Sequence, residues 1–167
     1  KKCSFGKRRI AYLGHVVSAN GVEMDQNKVE AVINWPIPKS VKAVRGFLGL
    51  TGYYRRFIKD YGMIAKPLTE LLKKEGYHRT ERNQRAFKEL ITAVTTAPVL
   101  TLPDFSKQFC IECDASGIGL GAVLFQEKRP IAYFSKALGE NSLAKSIYEK
   151  ELMALVLAIQ HWRPYLL

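Results

Sequence analysis

The feature that most constrains this sequence is a change of period near Leu102-Pro-Asp-Phe. Before it, apart from two short opening runs, apolar residues recur at helical intervals. After it they fall into three short runs, Gln108 to Asp114, Leu120 to Gln126 and Ile131 to Ser135, joined by Gly-rich or charged turns. A helical pattern from Ser142 to His161 follows. This order predicts an α+β chain, a helical segment followed by a three-stranded antiparallel meander with one helix against it. Three strands and one helix leave a sheet edge open. With 167 residues, 47% apolar and 25% charged, the chain is long enough for two small units with buried cores.

Ile10-Ala-Tyr-Leu-Gly-His-Val-Val, an Asn-Gly turn signal and Val22-Glu-Met predict a β-hairpin. Asp25 is placed to cap a helix through Asn34, which Pro36 and Pro38 stop. Ser40 is placed to cap a longer one, from Val41 to about Tyr61. At 100° per residue Ala43, Phe47, Leu50, Tyr54, Phe57 and Tyr61 share one face, and Arg45, Gly49, Gly52, Arg56 and Lys59 share the opposite one. Glycine costs a helix interior about 1 kcal/mol relative to Ala. Gly49 and Gly52 therefore have one of two explanations: a nucleic-acid strand lies close against the helix with Arg45, Arg56 and Lys59 at its phosphates, or the helix breaks near Leu50 to Gly52. Further helices are predicted from Ile64 to Lys73 and from Thr80 to Thr96.

The net charge of +11 is unevenly spread. Residues 1–100 hold 19 Lys and Arg against 8 Asp and Glu, a net of +11; residues 101–167 hold 7 against 7. A polyanionic partner for the first part, or a solvated basic surface, accounts for that. The longest apolar run, Leu152 to Ile159, has eight residues, where a membrane span needs about 20, so no bilayer crossing is expected. The basic start is not followed by the apolar stretch of a secretory signal, and it begins without Met, as a cut piece would. Three cysteines form no disulfide framework, which makes a reducing interior the expectation. Cys110 and Cys113 are spaced like thiolate ligands, but odd spacing on a strand sends them to opposite faces.

Two carboxylates are candidate chemistry. Asp114 closes an apolar strand beside Ala-Ser-Gly, and Glu151 shares a helix face with Leu155, Ala158 and Trp162. Carboxylates on neighbouring elements are what a two-metal phosphoryl-transfer site uses to hold Mg²⁺. Plainer readings stand beside these: Asp114 as a turn-starting Asp, Glu151 paired with Lys145, Lys150 or Arg163, and Glu112, on the same strand face as Asp114, as a third ligand or the partner of a basic group.

Tyr12-Leu-Gly-His, Arg45-Gly-Phe-Leu-Gly-Leu-Thr-Gly-Tyr-Tyr-Arg-Arg-Phe-Ile, Lys66-Pro-Leu-Thr, Ala97-Pro-Val-Leu, Cys113-Asp-Ala-Ser-Gly, Ile131-Ala-Tyr-Phe-Ser and Tyr148-Glu-Lys-Glu-Leu occur in order along the chain. Together they resemble the Pol polyprotein of gypsy-type long-terminal-repeat retrotransposons. The resemblance implies that residues 1–24 are the end of the polymerase palm, with Gly14 and His15 in a primer-grip-like hairpin. It implies a helical thumb and connection over 25–100, with Arg45, Gly49, Gly52, Arg56 and Lys59 along template and primer, and the N-terminal half of a ribonuclease H-like domain over 101–167. Asp114 and Glu151 match the metal-binding Asp and Glu of a nuclease that uses two Mg²⁺ to cut the RNA strand of an RNA:DNA hybrid.

The family's polymerase aspartates are expected upstream of Lys1, and its next nuclease aspartate, in a Thr-Asp-His motif, beyond Leu167. Arg79 and Gln26 stand where relatives usually carry Trp and Pro. The implied partners are template-primer, RNA:DNA hybrid and the rest of the polyprotein, with no membrane; the implied location is intracellular, in a cytoplasmic virus-like particle or the nucleus. The alternative is a domesticated or decayed remnant, acting as a noncatalytic nucleic-acid-binding or interaction module.

Overall fold

The structure, a computed structural model, describes residues 6–73, 77–78 and 80–167. Arg79 lies outside the described residues. The chain opens with β1 (Arg9–Tyr12), β2 (His15–Ser18) and β3 (Gly21–Met24), an antiparallel meander. The predicted first strand is thus folded back on itself at Leu13 and Gly14, whose φ values of 48° and 77° make a two-residue mirror-image turn. Gly supplies one left-handed position freely, but Leu at the other is no turn signal, which hid the break. β3 is tied to the distant Leu100 by a pair of backbone bonds, Val22 N–H to Leu100 O at 2.7 Å and Leu100 N–H to Val22 O at 2.8 Å.

The helices begin where capping chemistry places them. Asp25 accepts from Asn27 N–H at the start of α1 (Gln26–Ile33), Ser40 from Ala43 N–H at α2 (Val41–Tyr53), and, beyond α3 (Tyr61–Glu70), Thr80 from Asn83 N–H at α4 (Glu81–Thr95). The predicted helix from Val41 to Tyr61 is not continuous. It ends at Tyr53, a 3₁₀ turn covers Arg55–Phe57, and α3 starts after Asp60, whose φ of 59° is left-handed. The bend lets Phe57 and Ile58, neighbours in sequence, both be buried, which one helix face could not do. One core holds Val32, Val44, Phe47, Phe57, Leu90 and Leu100, with Phe47 and Phe87 rings 4.6 Å apart.

A second antiparallel meander follows, β4 (Cys110–Ala115), β5 (Gly119–Gln126) and β6 (Arg129–Ala137). Pairing slips by one residue at Phe125, which faces Pro130 while Leu124 faces Ala132; Ile131 is the extra, buried residue of a bulge. The buried Gln126 side chain fixes the preceding loop, donating to Asp104 O and Lys107 O and accepting from Asp104 N–H. The predicted terminal helix is divided into α5 (Glu140–Leu143) and α6 (Ile147–His161), the latter begun by a Ser146/Glu149 capping box, and α7 (Arg163–Leu166) ends the chain.

The second sheet has helices on both faces. Ile111, Cys113, Leu120, Ala122 and Leu124 pack under α6 through Ala154, Ala158 and Trp162. Alternation sends Glu112, Asp114, Gly121, Val123, Tyr133 and Ser135 to the other face, where α3 and the 3₁₀ turn sit. Gly62 marks that contact: its N–H donates to Ser135 Oγ at 2.8 Å, and a Cβ there would stand 3.0 Å from the Ser135 carbonyl oxygen. No described helix is long and apolar enough to cross a membrane.

Candidate nucleic-acid interface and carboxylate cleft

The β1–β2 turn is clamped to the end of α2. Tyr53 and Tyr54 hydroxyls donate to Leu13 O and Gly14 O, each at 2.7 Å. Any side chain at Gly14 would run into the Tyr54 hydroxyl, so close packing as well as its positive φ requires glycine. His15 stacks on Tyr53 at 5.3 Å and on Phe57 at 5.5 Å and meets Tyr54 edge-on at 5.4 Å. Its Nδ1 is buried without a hydrogen bond. Burial, and then the Arg56 guanidinium, hold the imidazole pKa below its ordinary value. Burial, with Tyr53 and Asp25 nearby, pushes the Tyr54 hydroxyl up to about 12, so it stays a donor to Gly14 at neutral pH.

The five residues counted onto one helix face are divided among three places. Arg45 and Gly49 are exposed on α2, and a Cβ at Gly49 would meet nothing within 4 Å. Gly52 faces the Tyr61 hydroxyl, at 3.3 Å from where its Cβ would stand. Arg56 belongs to the 3₁₀ turn, half-buried, its guanidinium 5.9 Å from the Phe57 ring centre and its Nε buried without a partner. Lys59 is exposed on the sheet side of the bend. The core side is likewise shifted: Val44 and Thr51 are fully buried, whereas Ala43 and Leu50 are half-buried. A hydroxyl-bearing residue escaped the apolar count because Thr51 satisfies its oxygen locally, bonding Phe47 O at 3.0 Å and the Tyr61 hydroxyl at 3.1 Å.

Asp114 lies within β4, one residue short of its end, and opens into a cleft of about 820 Å³ between the sheet and the helices. Asp60, Met63, Arg82, Arg85 and Ser116 line it too. Asp60, unmarked by any sequence pattern, reaches this cleft through its left-handed backbone, a conformation Asp tolerates better than most residues. Glu112 shares the face of Asp114 and lines a neighbouring cleft with Asp60 and Lys59.

Glu151 is placed differently. It is exposed on α6, and the helix covers the face of the sheet away from Asp114. The α6 charge that is buried is Lys150, whose ammonium donates to Leu143 O at 2.9 Å. Among the described residues no group of three or more His, Cys, Asp or Glu side chains converges as a metal site. Asp114 and Glu151 are both exposed, on β4 and α6, two elements that pack against each other. Cys110 is exposed while Cys113 lies under α6, where burial raises its thiol pKa.

The sequence profile of the RNase H-like domain found in reverse transcriptase matches residues 80–167. The retrovirus-related Pol polyprotein from transposon 297 of Drosophila melanogaster is 45% identical over 168 residues, covering 99% of this chain and 16% of that protein. The corresponding polyprotein from transposon gypsy of the same organism is 40% identical over 174 residues, covering 95% and 17%. An uncharacterized mitochondrial protein of Arabidopsis thaliana is 58% identical over 111 residues, 65% of this chain and 70% of its own. The chain thus spans less than a fifth of the transposon polyproteins. Among solved structures, foamy viral protease-reverse transcriptase in complex with an RNA/DNA hybrid superposes with a TM-score of 0.86 at 22% identity, over 93% of this chain and 22% of that one. A second structure of that protein, in complex with double-stranded DNA, gives 0.88 at 22% identity, over 95% and 29%. The fold is shared with these proteins.

Proposed function

The chain belongs to the RNase H-like domains found in reverse transcriptase and is related along nearly its whole length to gypsy-type retrotransposon Pol polyproteins, and from that premise we propose that it binds the template-primer of such an enzyme. The observation that carries this reading is the outer surface of α2, where Arg45 and the bare backbone of Gly49 are both exposed. Arg45 forms no ion pair with a described residue. An unpaired guanidinium beside a helix surface without side-chain bulk suits a phosphate backbone, which is met by charge-assisted bonds and close approach. Gly14, His15 and Arg56 then act as the clamp that fixes the hairpin beside this surface, and Lys59 extends it towards the sheet.

Of the division into a palm end over 1–24, thumb and connection over 25–100 and an RNase H-like part over 101–167, the boundary near residue 100 is supported by the cores, since the buried residues of the first end at Leu100 and those of the other two begin at Leu120 and Ala122. α4 packs in the first core although the family profile begins just before it. In this reading Asp114 is the carboxylate offered to a hybrid strand in the cleft. Glu151, on the helix packed against the strand that carries Asp114, would be the second carboxylate to hold Mg²⁺ there, the ion supplying activation of water for attack on the RNA strand.

The test is binding of a labelled RNA:DNA hybrid between 50 and 200 mM salt. Replacing Arg45 by Ala should weaken binding and flatten the dependence of log K on log salt by about 0.9, the share of one phosphate contact. Unchanged affinity and slope would reject α2 as the contact surface.

A further inference from the structure

On the face of the second sheet shared with Asp114, but at its other end, α3 and the 3₁₀ turn leave a groove of about 490 Å³ uncovered. Its floor is two cross-strand rows: Glu112 beside Val123 and Tyr133, and Phe125 beside Pro130. The bulge makes the second row, because the slip sends Ile131 into the core and brings Pro130 opposite Phe125. Lys59 stands at one margin and Lys128, in the β5–β6 turn, at another. Both amino groups are exposed, and neither forms an ion pair with a described residue. Glu112 is the single acid against them.

We infer that this groove is a binding site for single-stranded nucleic acid, holding one or two nucleotides with a base against Phe125 and Tyr133 and the flanking phosphates at Lys59 and Lys128. Aromatic floors between cations are how proteins hold unpaired strands without regard to sequence, because every base has a face to stack while the backbone needs only positive charge. The volume is that of a small-ligand cleft and accommodates a nucleotide. The inference rests on the proposed nucleic-acid function, since Lys59 is where the α2 surface meets the sheet, and adds a place beside the duplex for an unpaired strand.

Lys128→Asn and Phe125→Leu test it. Lys128 has φ +62°, which Asn tolerates, so the first removes the charge without straining the turn. The second keeps apolar volume but removes the ring; thermal unfolding confirms that it remains folded. The probes are a fluorescent 12-residue oligothymidylate and an RNA:DNA duplex of the same length. Lys128→Asn should flatten the single-strand salt dependence by about 0.7, and Phe125→Leu should weaken oligothymidylate about fivefold or more, both leaving the duplex nearly unchanged. A control, Lys88→Ala on α4, should do neither. Wild-type oligothymidylate binding by both groove variants, an equal loss for the duplex, or an equal loss in the control would each overturn the inference. Arg45→Ala separates the two levels: if it weakens duplex binding while the groove variants change nothing, the groove alone fails, and if it also changes nothing, the underlying function fails.

Discussion

Gly49 offers a measurement in which stability and binding move in opposite directions. It lies inside α2, exposed, with open space where a side chain would be. Alanine there avoids the conformational freedom that glycine gives the unfolded chain, and no neighbour is displaced. The gain is about 1 kcal/mol, which for a chain of this size raises Tm by about 2–4 °C. If a sugar-phosphate backbone lies against this point, the methyl group pushes it outward and lengthens the bond made by Arg45. Losing one charge-assisted hydrogen bond costs about 1.5 kcal/mol, roughly a tenfold weaker Kd. Calorimetry and hybrid titration on the same Gly49→Ala preparation read both effects. A lower Tm would mean that Gly49 is not an open helical position. A raised Tm with unchanged affinity would mean that nothing approaches the helix there, and glycine at 49 would then need another explanation.

Gly62 should behave oppositely to Gly49, because its Cβ would stand 3.0 Å from Ser135 O, 3.1 Å from Ser135 C and 3.2 Å from Ala137 N. Backbone on both sides leaves nothing to yield except the layer spacing, so Gly62→Ala should destabilise by about 1–3 kcal/mol in urea unfolding; a stabilised variant would show that α3 does not rest on β6. His15 predicts a pH dependence. Its folded pKa lies below the ordinary value of 6.5, so above that value neither state is protonated and nothing changes. As pH falls below about 6.5 the unfolded chain takes up the proton first, and stability falls until the folded pKa is passed. Tm measured from pH 8 to 5 should therefore drop below pH 6.5, and His15→Gln should reduce that drop; an equal drop in the variant would assign it to other groups.

Local signals are legible wherever a side chain answers to its own neighbours. Asp25, Ser40 and Thr80 cap the helices they were expected to cap, and the three strands of the second sheet lie where alternation put them. Elsewhere distant contacts overrule the local pattern. The periodicity through Tyr61 could not register that Asp60 turns left-handed to bring α3 onto β6, and Leu13 gave no sign of a turn that Tyr53 and Tyr54, forty residues on, hold in place. The same holds for the site. Asp114 faces a cleft, whereas the angular count along α6, which rightly sets Ala158 and Trp162 together, gives no sign that Lys150 is the charge buried on that helix, bonded to Leu143 O. Gly21 and Gly62 stand close against the backbone of Leu100 and Ser135, and no local pattern in the sequence marks either contact.

The carbonyl of Gly14 accepts from Asp25 N–H at 3.0 Å and from the Tyr54 hydroxyl at 2.7 Å. One oxygen is therefore shared by the hairpin, the start of α1 and the end of α2, with both of its lone pairs engaged. Mechanically it is a pin joint through three bodies. A pull on α2 along its axis is transmitted to the hairpin and to α1 at once, and none of the three can swing without stretching a bond held by the others. Load arriving at the outer surface of α2 is in this way shared with the hairpin and α1 rather than absorbed where it lands.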